Sequence, residues 1–102
     1  MLHMVVATHG PETCALLVHE IGDKALTALE RMDEVAKGHG ANMEGGWSDM
    51  SGHTIYMVID APNAHIVNQM MMELQFTEWN KVAIHPVVAM RDIAPAVRRR
   101  SR

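Results

Sequence analysis

At 102 residues, with 48% apolar side chains and a formal charge of −3, the chain is sized for one folded domain. The negative balance excludes a global basic field that would draw in nucleic acid. No apolar run approaches the about 20 residues needed to span a membrane. The single cysteine, Cys14, excludes an internal disulfide framework. The opening Met1-Leu2-His3-Met4 has neither the basic region nor the cleavage site of a signal peptide, so the expected compartment is the cytoplasm.

In chain order, Leu2 to Thr8 is short, apolar and β-branched, and Gly10-Pro11 stops it, which predicts a buried strand. Pro11 to Ile21 reads as helical, with Gly22 as a break. A longer helix follows from Asp23, where Leu26, Leu29, Met32 and Ala36 recur at three- and four-residue spacing until Gly38 and Gly40. Residues 42–49 and 53–60 form a hairpin around Asp49-Met50-Ser51-Gly52, with a bulge expected at Gly45-Gly46. Ala61-Pro62-Asn63 opens a second helix whose buried stripe is Ile66, Val67, Met70, Met71 and Leu74. A loop over 76–80 leads to the last strand, Val82 to Met90, and Pro86 places that strand at an edge or a bulge. The Arg-rich end, residues 93–102, is expected to be a disordered basic tail beyond a domain of residues 1–92. With ten methionines and few aromatic residues, the core is expected to be filled by methionine.

The order β-α-β-β-α-β is the ferredoxin-like plan: an α+β fold with a four-stranded antiparallel sheet, order 4-1-3-2, and both helices on one face. Both sheet faces are apolar, since Leu2, Met4 and Val6 alternate with Val5 and Ala7, and Ile55, Met57 and Ile59 with Tyr56 and Val58. A second cover is therefore required, and another copy supplies it most simply. A homodimer or higher homo-oligomer is expected. The element order, the hairpin segment Gly52-His53-Thr54-Ile55-Tyr56 and the ending Ile84-His85-Pro86-Val87-Val88 resemble the dimeric α+β barrel superfamily. The start Ala7 to Cys14 is similar to a small branch of it. That superfamily includes small monooxygenases and muconolactone isomerase-like proteins. The resemblance implies a small-molecule ligand, held between sheet and helices or inside the barrel, and fixes no single reaction.

The 4-1-3-2 layout brings the end of the first strand, the hairpin turn and the 76–80 loop to one end of the sheet. His9, His53, Cys14 and Glu78 converge there, and these are ligand types for zinc, nickel, copper or iron. Two imidazoles plus a thiolate or carboxylate make an open site with room for water or substrate. A second constellation follows if Leu2, Met4 and Val6 pack on the helices. His3, Val5, Ala7 and His9 then face the barrel interior with His85 and Tyr56. His9, His85 and Tyr56 would be the acid–base groups of such a pocket. Three readings stay open: a small-molecule-binding, catalytic dimeric barrel with a transition metal; a cofactor-free monooxygenase or isomerase; and a non-enzymatic oligomeric ligand sensor. Nucleic acid and membrane are not expected partners.

Overall fold

The computed structural model describes residues 1–101. Its elements are β1 (Leu2–Thr8), α1 (His19–Gly38), β2 (Asn42–Asp49), β3 (Thr54–Asp60), α2 (Ala64–Glu73), β4 (Lys81–Val87) and α3 (Met90–Arg100), with short 3₁₀ turns at Pro11–Thr13 and Phe76–Glu78. The strands form one antiparallel sheet in the order β2-β3-β1-β4. This is the ferredoxin-like arrangement read from the sequence. The register shifts between Met43 and Gly45, so a bulge is present at Glu44, just before the Gly45-Gly46 pair where the sequence predicts it. Pro86 sits on β4, an edge strand, where its missing N–H costs no ladder bond.

Two helix ends rest on identifiable chemistry. Gly40 has φ +67, and the Ala41 and Gly40 amides donate to the carbonyls of Ala36 (2.8 Å) and Lys37 (3.1 Å). That paired pattern closes α1 as a Schellman cap. Asn63 caps α2, its side chain accepting from the Ile66 amide at 2.9 Å.

The core lies between one sheet face and the helices. Val5, Met57 and Ile59 meet Ala28, Val35, Val67, Met70, Met71 and Phe76 there. Methionine does fill it. Met57, Met70 and Met71 are among the largest fully buried side chains, and their flexible thioethers occupy space that aromatic rings fill in other domains.

Three expectations need correction. The first concerns β1, whose faces are reversed: His3, Val5 and Ala7 are fully buried against the helices, while Met4 and Val6 are half-buried on the open face. Both sets are apolar, so the alternation alone does not choose between them. The choice is made by which side α1 and α2 cover rather than by side-chain size, since His3 on the covered face is among the largest fully buried side chains. The second concerns Pro11–Ile21, which is helical only from His19, where α1 begins. A 3₁₀ turn is followed by a loop in which the Cys14 carbonyl accepts from the Leu17 and Val18 amides. Gly22 does not break α1. A Cβ there would come within 2.9 Å of the Ala15 carbonyl oxygen, so glycine lets this loop fold onto the helix's first turn. The third concerns the basic end, where α3 is a helix over Met90–Arg100 with no buried residue. Arg98, Arg99 and Arg100 fall in the last turn, where positive charge complements the helix dipole.

The hairpin turn is held by Asp49, whose carboxylate accepts from the Gly52 amide and the Ser51 hydroxyl, both at 3.0 Å. These bonds, that of Gly52 first, hold its carboxyl below the usual carboxylate range. A pKa depressed by folding stabilises the fold above the unfolded-state value, and that contribution is lost as pH falls through the folded value. Asp49→Ala is therefore expected to lower Tm at neutral pH, with the difference closing below about pH 4. A gap that stays constant through the acid range would mean the charge of Asp49 plays no part.

Candidate metal centre

The Thr8↔Thr54 pair closes the β1–β3 ladder, and one more backbone bond, His9 amide to His53 carbonyl at 3.1 Å, carries the two chains a residue further. Side chains alternate across a strand, so His9 and His53 leave the sheet end on the helix side, the side of Ala7. Their rings meet edge to face with centroids 5.4 Å apart. From Gly10 the chain turns through Pro11–Thr13 and delivers Cys14, which is 6% exposed. One ligand atom from each of His9, Cys14 and His53 lies within 4.8 Å of the other two. Donors around a tetrahedral zinc stand about 3.4–3.8 Å apart, given bonds of about 2.0–2.3 Å. A small inward movement of the rings reaches that spacing.

The hydrogen bonds around the trio leave its donor atoms free. The Asn80 side chain donates from Nδ2 to the Phe76 carbonyl (3.2 Å), which turns its Oδ1 toward His9. His9 Nδ1 donates to that oxygen at 2.8 Å, so the tautomer assigned by this network carries its lone pair on Nε2. A polar group orienting an imidazole through its second nitrogen is what metal-bound histidines generally have. His53 Nδ1 is buried and has no hydrogen-bond partner among the described residues. A buried nitrogen left unpaired costs about 1–3 kcal/mol. His53 also has φ +51, a left-handed conformation that costs a non-glycine residue roughly 1–2 kcal/mol. Both costs fall on one residue, and both are offset if its ring binds a ligand.

The surroundings are apolar. The Trp79 ring lies 5.2 Å from that of His9 and 5.7 Å from that of Phe76. Trp79 is 4% exposed, and its indole N–H also lacks a partner among the described residues.

The other predicted site residues lie elsewhere. Glu78 reaches the same end of the sheet but is exposed and pairs with Lys24 at 3.0 Å. His85 pairs with Met4, and Tyr56 with Val6, so both belong to the open face. His85 is five residues from the His9 level along β1, about 16 Å at about 3.3 Å per residue. The structure thus unites His9, Cys14 and His53 and does not bring His85 or Tyr56 to them. Asn80 was not among the sequence candidates. The only signal for it is a polar side chain just before β4, at the end of the sheet where His9 emerges.

Comparison with known proteins agrees with the fold. A solved structure, that of SCO4226 from Streptomyces coelicolor A3(2), superposes with a TM-score of 0.50 at 18% identity, covering 85% of this chain and 99% of that one. At that identity the likeness concerns the fold alone. No curated protein matches. No helix among the described residues is long and apolar enough to cross a membrane. The model of a domain of unknown function, DUF3303, matches residues 1–101, and the chain belongs to that family.

Proposed function

We propose that this protein binds a transition-metal ion through His9, Cys14 and His53 and presents it to a small molecule. The observation that carries the reading is the convergence within 4.8 Å of three ligand atoms, two from the β1–α1 connection and one from the β2–β3 turn. The oriented imidazole of His9 and the unpaired nitrogen of His53 support it. Two imidazoles and a thiolate suit zinc, nickel, copper or iron. Three protein ligands leave a coordination position open, the arrangement of metal sites that act on a ligand.

Direct titration of untagged, metal-free protein with Co²⁺ tests this. One equivalent per chain should bind with a thiolate-to-cobalt charge-transfer band in the near ultraviolet, and Cys14→Ser should lose that band. Binding should weaken toward acid as protons compete for the imidazoles and the thiolate. No uptake, or uptake with a spectrum unchanged by Cys14→Ser, would remove the centre from consideration.

The open sheet face favours a dimer. Met4, Val6, Val58 and Ala83 are half-buried there, and Tyr56 (39% exposed) and Trp47 (62% exposed) extend the patch. A contiguous apolar sheet face of this kind needs a partner. A second copy packed face to face by two-fold symmetry is the arrangement of the dimeric α+β barrel proteins. His85 and Tyr56 then lie in the interface between copies, with the metal centre on the other side of each sheet.

A further inference from the structure

Between α1 and the β2–β3 hairpin lies a cavity of about 560 Å³, within the range of small-molecule sites. Ala25 and Met32 of α1, Met43 of β2, Ile55 of β3 and Phe76 form much of its wall. No Lys, Arg, His, Asp or Glu is among its described lining residues. His9, Cys14 and His53 do not line it, but residues that adjoin them do. Ala15 and Leu16, which follow Cys14, line it, and so does Trp79, whose ring stacks near His9.

Charge decides what can occupy this space. The cavity opens to solvent along Leu16, Leu29, Trp47 and Met50, but a carboxylate against its inner wall of Met57, Phe76 and Trp79 would be buried without a partner, at a cost of several kcal/mol. At the edge of the cavity the balance differs. A divalent ion held by two neutral imidazoles and one thiolate keeps a net charge of +1 and an open position. A monoanion at that position neutralises it in a low-dielectric setting, where such pairing is strong. Given the metal centre proposed above, on which this reading rests, we infer that the cavity binds an apolar monocarboxylate. Its carboxylate closes the metal's coordination sphere, and its hydrocarbon lies between Met32, Met43 and Phe76. The corresponding neutral alcohol has the same apolar body but no charge to offer the metal.

The test uses the full-length chain loaded with Co²⁺, with decanoate and decanol as probes. Cobalt uptake is read first, from the thiolate charge-transfer band. Decanoate is then expected to shift the cobalt d–d bands saturably and to bind at least tenfold more tightly than decanol. It should also bind at least tenfold more tightly to the loaded protein than to the metal-free one. Ala25→Phe, which fills the cavity from α1, should keep the cobalt spectrum and lose decanoate, and the smaller Ala25→Leu should weaken it in the same direction. Cobalt binding with no spectral response to decanoate, or equal affinity with and without metal, overturns this inference and leaves the metal centre standing. Failure to take up cobalt overturns both. Loss of self-association in Ala25→Phe, with no decanoate binding by the unmodified protein, would assign the cavity to a second copy and overturn the inference as well.

Discussion

His53→Gly is expected to abolish stoichiometric metal binding while leaving the metal-free protein at least as stable as before. The first half follows from ligand count. Structural zinc sites are worth about 10–16 kcal/mol over four ligands, so one ligand carries about 3–4 kcal/mol, or roughly 10²–10³-fold in affinity. The second half follows from the two costs that His53 carries, a φ of +51 and a buried Nδ1 with no partner. Glycine adopts that φ freely and brings no buried polar atom. A residue whose removal costs function and spares stability is placed for function. His9→Ala and Cys14→Ala should lose metal to a similar degree. Asn80→Ala, which removes only the group orienting His9, should lose about 10–100-fold. Competition against a chromogenic chelator gives the affinities, and urea unfolding of the metal-free proteins gives the stabilities. A His53→Gly protein that binds metal normally, or is destabilised by several kcal/mol when metal-free, would assign His53 a structural role instead.

Val6→Glu is expected to convert a dimer into a folded monomer. Val6 lies on the central strand β1, between Tyr56 on β3 and Ala83 on β4, on the face away from the helices. In a face-to-face dimer two such carboxylates would be buried near the two-fold axis without partners. Each costs several kcal/mol, so the dissociation constant should rise by at least about a thousandfold. The monomer's core is untouched, because Val5 and Ala7 rather than Val6 face the helices. Sedimentation at micromolar concentration reads the assembly, and far-ultraviolet circular dichroism reads the fold. An unmodified protein that sediments as a monomer would contradict the proposed dimer.

Much of this architecture is legible in the sequence because it depends on short-range signals. Gly10-Pro11, Asp49-Ser51-Gly52 and Pro62-Asn63 mark the joints. Pro86 marks an edge strand, and the β-α-β-β-α-β order then leaves one familiar sheet. That order also carries His9, His53 and Cys14 to one end, although 44 positions of sequence separate His9 from His53. The face of β1 is less accessible, because Met4 and Val6 are as apolar as Val5 and Ala7. What decides it is which side the helices cover, and the helices are distant in sequence. His3 illustrates the same limit. A strand histidine reads as a pocket group, yet it is fully buried in the core and bonded through Nδ1 to the Ile59 carbonyl. Leu17 continues a helical spacing with Cys14, Val18 and Ile21 but lies exposed, because the bonds to the Cys14 carbonyl close only one isolated turn before α1 begins at His19. Asn80 owes its role to a turn that places it against His9, and no local pattern marks it.

The central claim is that His9, Cys14 and His53 form one metal-binding set. X-ray absorption on untagged, zinc-loaded protein tests it most directly. The predicted first shell contains two imidazole nitrogens at about 2.0–2.1 Å, one sulfur at about 2.3 Å and one further light atom. A shell without sulfur, or protein that retains no stoichiometric zinc, would contradict it.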